Sequence, residues 1–438
     1  MAPNGDHLHI IDSRTHREYD IPIDDHFIHG SDISAIKSLD KHGEGPERSL
    51  GVFDRGLQHI ACMESAITHI DGYGGRIEYR GHAIEKLFHE NDYDEVLHLL
   101  LFGQLPSPQQ KKALRSKLAE YLFPPQVVLD VLSQFPRDAD PLALVTAGLS
   151  AYASADPVAI AARHDPRPQF HGNQAATDDA ALRTMAYITA TFASIYCHRH
   201  GKPLGRPRPD QSLIGNLLLM MGFEVSPAEG SRMLKCMERL WIIYADHEMT
   251  NSTAASLCVG STLTDPISCF MTAVIAGAGP LHAGALELAY SVLNTIGTPE
   301  NVSQYIEAVK AKQVRLFGYG HRVYKTADPR VSLINELIRD HEQIVSKNPL
   351  LRVALAVDEV ANTDPYFVER HLKVNADLFG CFLYTAFGFE SDLLPGFMMI
   401  SRAAGVLAHW REAMGQPIKI WRPKQKYKPE HIKASAKL

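Results

Sequence analysis

Gly318-Tyr319-Gly320-His321-Arg322-Val323-Tyr324-Lys325-Thr326-Ala327-Asp328-Pro329-Arg330 is the stretch on which the reading of this chain turns. Asp328 followed by Pro329 has the form of a helix N-cap and first helical position. Leu333, Ile334, Leu337 and Ile338 supply the apolar stripe of the helix that follows. Arg330 then falls in the first turn, where the helix macrodipole disfavours a cation by up to about 1 kcal/mol. An anion held between the exposed amides and the guanidinium would offset that cost. Position 323 is Val, not a third glycine, which excludes the dinucleotide-binding fingerprint.

The whole chain sets bounds on what this stretch can serve. Its 438 residues, 45% hydrophobic and 21% charged, suit a globular enzyme and are enough for two domains. A net charge of -6 lacks the basic surplus of a nucleic-acid binder, so any anion site must be a local cluster of Arg and His. Cys62, Cys197, Cys236, Cys258, Cys269 and Cys381 show no paired spacing and mostly apolar neighbours, which predicts buried, reduced thiols. The longest uncharged run, Pro266 to Leu286, approaches the length of a membrane span. Gly277, Gly279 and Pro280 interrupt it, so two helices around a turn are expected and no membrane partner. The acidic N-terminal region fits neither a signal peptide nor a presequence. Ala436-Lys437-Leu438 is a conservative variant of the Ser-Lys-Leu address, which predicts a peroxisomal location, with the cytoplasm as the alternative.

Residues alternate from Leu8 to Ile23 around Thr15-His16, as in a small hairpin, and again from Ile67 to Gly81, with Asp71 and Arg80 as turn and ion-pair residues. From Ile84 to Phe270 helical periodicity dominates, and the Pro- and Gly-rich stretch Arg163 to Asp178 reads as a surface loop. The fold class is therefore mostly α with minor N-terminal β-hairpins. His247 ends an apolar helix but has no second histidine four residues on, so it is not a zinc-protease motif. His198-Arg199-His200 lacks the carboxylate or cysteine partners of a metal site. His282 opens a helix running from Ala283 to about Leu293, where the macrodipole discourages protonation and favours a neutral donor. Asp377 enters the apolar run Leu378 to Tyr384, where desolvation raises a carboxyl pKa; the plain alternative is a helix cap.

Gly-Tyr-Gly-His-Arg-Val-Tyr-Lys followed by Asp-Pro-Arg resembles the signature of the citrate synthase family. The likeness runs from about residue 8 to residue 427 and includes Asp12-Ser13-Arg14-Thr15, His247-Glu248 with Asn251, Gly279-Pro280-Leu281-His282, Asn375-Ala376-Asp377, Arg402 and Arg422. Its N-terminal strands are similar to the bacterial-type members. The resemblance implies a two-domain helical fold, with residues 1–282 and 391–438 forming a large domain and 283–390 a small one that closes over the site. It implies a Claisen condensation of an acyl-CoA with oxaloacetate, then thioester hydrolysis, in a homodimer without a tightly bound cofactor or metal.

On that resemblance Asp377 is the base, His282 the donor to the thioester oxygen and His321 the group that polarises the ketone. His247, Arg330 and Arg402 clamp the carboxylates, and Arg422 reaches the neighbouring subunit's site. Leu316, Phe317, Gly318, Tyr319, Gly320, Lys325 and Asn375 offer a surface for coenzyme A. Spacing nominates Thr253 or Asn251 to fix the His282 tautomer.

Lys373-Val374, Gly380-Cys381 and Ala283 depart from the family's Tyr-Pro, Ser-Gly and Gly. The expectation is an acyl group larger than acetyl, giving an alkylated citrate, with Gly380 making room near the base. The rival readings are a scaffold of the same fold without turnover and a histidine-dependent metalloprotein.

Overall fold

A computed structural model describes residues 5–39, 46–225 and 229–427; the Ala436-Lys437-Leu438 tripeptide lies outside them. The chain divides into a unit formed by Met1–Glu64 with Arg422–Leu438 and a larger unit, Ser65–Trp421. In the terminal unit, strands His7–Asp12 and Arg17–Pro22 pair antiparallel, with Asp12 opposite Arg17. The Asp12 carboxylate accepts from the Arg14 amide and guanidinium and so ties the turn of this expected hairpin.

The larger unit opens with the second expected hairpin, Thr68–Asp71 against Arg76–Tyr79, joined by a short third strand, His82–Ala83. Asp71 accepts from the Gly74 amide at 2.7 Å and pairs with Arg76, while Arg80 pairs with Glu412. A Cβ on Gly74 would lie 2.2 Å from the Asp71 carboxylate, so any side chain here would displace that carboxylate. The turn also lies against the 318–330 stretch, because the Lys325 amide donates to Gly72 O at 2.9 Å.

Helices make up the rest, as composition and periodicity led us to expect. Helix Leu394–Met414 is buried along nearly its whole length and packs with the 27-residue helix Gln174–His200. The expected loop from Arg163 to Asp178 is shorter in the structure. Helix Pro157–His164 continues past Arg163, capped at its start by Asp156, and Asn173 caps the next helix. Buried Phe170 pins the residues between them. The uncharged run forms helix Pro266–Gly277, a turn and helix Gly284–Ile296. Among the described residues no single helix is long and apolar enough to cross a membrane. All six cysteines are free, but Cys62 and Cys258 are exposed, which corrects the expectation that apolar neighbours would bury them.

Candidate active site

The glycines of the 318–330 stretch have structural work to do. Gly318 and Gly320 have φ of 83° and 82°, left-handed values that disfavour any side chain. Their loop is stitched to the segment before helix Ala376–Ala386: Gly320 N donates to Lys373 O at 2.7 Å, and Asn375 N to Gly318 O at 3.0 Å. Asn375 also donates from its side chain to Gly320 O at 3.0 Å and accepts the Asp377 amide at 2.9 Å, so Asn375 is the helix cap. Asp377 is thereby released from capping, and among the described residues its carboxylate accepts no hydrogen bond. Burial pushes its pKa up to about 6, against the pull of Arg330 and Arg402.

Asp328 and Pro329 start helix Pro329–Asp340 as expected, and Leu333, Ile334 and Leu337 are buried. Asp328 offsets the cost of Arg330 in the first turn from within the stretch. Asp328 takes Nε at 2.9 Å and Nη2 at 2.7 Å, and both side chains are buried. Asp328 also accepts the Ala376 amide at 3.2 Å, tying this helix start to that of the Asp377 helix.

His321 Nδ1 receives the Val323 and Tyr324 amides at 3.1 and 3.3 Å. Backbone amides can only donate, so Nδ1 is the acceptor and Nε2 carries the proton. Burial, followed by repulsion from Arg330, lowers this histidine to about 4, which keeps it neutral at physiological pH. Its ring centroid lies 5.2 Å from that of His247, whose Nε2 is 2.9 Å from the Tyr324 hydroxyl. His247 is buried and held well below its ordinary pKa by desolvation and then by the charges of Arg330 and Arg402. Its segment is braced by the second hairpin: Tyr79 Oη donates to Asp246 O at 3.0 Å, and the Ile70 amide to Glu248 at 2.6 Å.

Arg402 comes from the buried helix Leu394–Met414 and is 3% exposed. Its Nε donates to Tyr244 O at 2.6 Å. Among the described residues it has no carboxylate within ion-pair distance, since nearby Asp246 pairs with His409 at 3.1 Å. A buried guanidinium without an ion pair is costly in a protein and suits an anionic ligand.

His282 lies just ahead of helix Gly284–Ile296, with Nε2 2.7 Å from Ser252 Oγ. Ser252 thus takes the place that spacing assigned to Thr253 or Asn251. Thr250 caps helix Asn251–Gly260 and bonds both the amide and the hydroxyl of Thr253, while Asn251 is exposed. His282 is lowered to about 4, as expected in direction, but by burial first and then by Arg402.

These groups share one electrostatic neighbourhood. The charge of Arg402 acts on His247, His282, His321 and Asp377 alike, and that of Arg330 on His247, His321 and Asp377. Leu316 is buried, Phe317 and Tyr319 are half-buried, and Lys325 is exposed; Arg422 is exposed in the terminal unit. Gly380 does not open space. A Cβ there would lie 2.3 Å from the Tyr244 hydroxyl, which fills the position. His198 and His200 have partners of their own, Phe135 O at 2.9 Å and Glu390 at 3.2 Å. Ser252, Tyr324 and Tyr244 are not singled out by sequence, and Asp328 is expected only as a helix cap, not as the partner of Arg330. Tyr324 lies inside the opening stretch; Ser252 and Tyr244 carry no motif.

A raised carboxylate free of hydrogen bonds, two neutral imidazoles and an unpaired arginine can hold a dianion and withdraw a proton from carbon beside a carbonyl. Residues 56–424 match the family described as citrate synthase, C-terminal domain. The chain belongs to the citrate synthase family. It is 48% identical over 423 residues to a citrate synthase-like protein of Phoma sp., covering 97% of this chain and 90% of that one. It is 36% identical over 427 residues to the alkylcitrate synthase phiJ of a fungal species, covering 96% and 93%. Among solved structures it resembles the citrate synthase of Thermoplasma acidophilum in its ternary complex with carboxymethyl coenzyme A and oxaloacetate. The TM-score is 0.76 at 26% identity, covering 86% of this chain and 98% of that one. The mostly helical architecture is thus the citrate synthase fold.

Proposed function

We propose that this citrate synthase-family protein condenses an acyl-CoA with oxaloacetate and hydrolyses the resulting thioester, releasing coenzyme A and citrate or an alkylated citrate. The observation that carries this reading is Asp377, a buried carboxylate without a hydrogen-bond partner among the described residues, raised to about 6 and sharing the charge of Arg402 with two histidines lowered to about 4. Asp377 takes the proton from the carbon next to the thioester carbonyl. The Ser252 hydroxyl donates to Nε2 of His282, which leaves the Nδ1 proton for the developing enolate oxygen. A preorganised donor of this kind stabilises the charge only as it forms.

His321 polarises the ketone of oxaloacetate through Nε2–H and passes that proton to the new alkoxide. Arg402, His247 and the Nη1 group that Asp328 leaves free on Arg330 hold the two carboxylates. Water then cleaves the thioester. The small domain, 283–390, closes over the substrates to exclude water until condensation is complete. The 316–320 backbone with Lys325 and Asn375 receives coenzyme A, and Arg422 completes the site of the neighbouring subunit in a homodimer.

Likeness to an alkylcitrate synthase supports an acyl chain longer than acetyl. The room for it has to come from elsewhere than Gly380. Release of free thiol from acetyl-, propionyl- and hexanoyl-CoA with oxaloacetate tests both levels of the reading. Each methylene in an apolar pocket is worth about 1 to 3 kcal/mol, so kcat/KM should rise about tenfold or more from acetyl-CoA to the preferred chain. A preference for acetyl-CoA removes the longer chain; no thiol release from any thioester removes the reaction.

A further inference from the structure

We propose that Tyr244 is a positioning residue that locks Asp377 and Arg402 to one another, an inference that rests on the condensation reading above. Tyr244 is wholly buried at the end of helix Glu229–Tyr244 and touches the site from three sides. Its carbonyl accepts Arg402 Nε at 2.6 Å, and its ring lies 6.0 Å from Arg330 Cζ. Its hydroxyl donates to Ala376 O at 3.1 Å, the carbonyl immediately before Asp377.

Helical geometry also directs the amide of residue 380 to the Ala376 carbonyl, so the hydroxyl must share that oxygen from the side where residue 380 would carry its side chain. Glycine alone permits this. A Cβ at 380 would stand 2.3 Å from the Tyr244 hydroxyl but 3.4 Å from the ring carbon bearing it. Gly380 and the Tyr244 hydroxyl are therefore two halves of one contact. Through it, the residue whose backbone holds the carboxylate-binding arginine also sets the first turn that aims the base.

The test uses the full-length chain with Tyr244→Phe, Gly380→Ala and the double substitution. Tyr244→Phe keeps the backbone carbonyl, so KM for oxaloacetate should change less than about twofold, while kcat falls by about five- to tenfold, the loss of one buried hydrogen bond. The acid limb of the kcat profile should move to lower pH as a loosened first turn rehydrates Asp377, a change that lost stability alone would not produce. Gly380→Ala should lower kcat at least as much, and adding Tyr244→Phe should restore it to the level of Tyr244→Phe alone.

A Tyr244→Phe enzyme with unaltered kcat and acid limb would overturn the inference while leaving the reaction standing. So would a Gly380→Ala defect that Tyr244→Phe does not relieve. If Gly380→Ala fails to fold, Tyr244→Phe alone decides. Absence of turnover in the unmodified chain would instead remove the reaction, and this inference with it.

Discussion

Asp328 holds Arg330 in a two-point ion pair, 2.9 Å from Oδ1 to Nε and 2.7 Å from Oδ2 to Nη2, within a single helix start. The same carboxylate caps that helix through the Arg330 amide and takes the Ala376 amide across the site. One side chain is thus cap, counter-ion and crosslink at once. Asp328→Ala would leave a buried guanidinium unpaired, and breaking such a pair costs about 3 to 5 kcal/mol. Chemical denaturation of the variant should show a loss of this size. A loss below about 1 kcal/mol would mean that water or another group takes over the pairing.

Asp377→Asn removes the base while keeping the shape of the first turn. On the proposed reaction kcat falls by roughly a hundredfold or more. Oxaloacetate affinity measured by calorimetry stays within about threefold, because the clamp lies elsewhere. Turnover close to that of the unmodified enzyme would assign the proton transfer to another group.

The pH dependence follows from the same carboxyl. Asp377 acts as a base only when ionised, and its pKa is raised to about 6, so activity should climb with pH through that value. Between pH 7 and pH 5 kcat/KM should fall about tenfold, from mostly ionised to mostly protonated. His282 and His321, both lowered to about 4, stay neutral across this window and add no second limb. A rate profile flat from pH 5 to 7 contradicts the assignment.

Ser252→Ala takes away the hydroxyl 2.7 Å from His282 Nε2. The imidazole is then free to place its proton on the wrong nitrogen, and we expect kcat to drop by about tenfold, in keeping with the loss of one orienting hydrogen bond. KM for oxaloacetate should remain near its original value. Ser252→Thr, which restores a hydroxyl, should recover most of the rate.

Arg402→Lys retains a charge but not a fork that can bond Tyr244 O and a carboxylate together. KM for oxaloacetate should rise at least about thirtyfold, the equivalent of about 2 kcal/mol, with a smaller change in KM for the thioester. Equal effects on both substrates would place Arg402 outside the carboxylate clamp.

The helical class, both hairpins and the helix start at Asp328-Pro329 were legible because each depends on local pattern: alternation, periodicity and a capping pair. His247, Arg330, Arg402, His321, His282 and Asp377 are nominated only by the family resemblance, since each taken alone reads as an ordinary loop, helix-end or surface residue. What could not be read were contacts made across the chain. Ser252 rather than Thr253 meets His282, although Thr250 bonds the hydroxyls of both, a choice set by three-dimensional geometry. Gly380 looked like added room for the acyl group until the Tyr244 hydroxyl, 136 positions earlier, was found in the space. Asp328 pairs with Arg330 from two residues away, a contact that the capping pattern alone does not reveal.

The paired amides that hold His321 Nδ1 bear on stereochemistry. A ring fixed in this way cannot turn over without giving up both bonds, so on the proposed reaction its Nε2 proton would approach the ketone from one fixed direction. With the carboxylates pinned as proposed, only one face of that planar carbon would be open to the nucleophile. The new carbon–carbon bond would then form on that face alone, and an alkylated citrate would carry its tertiary alcohol centre in a single handedness.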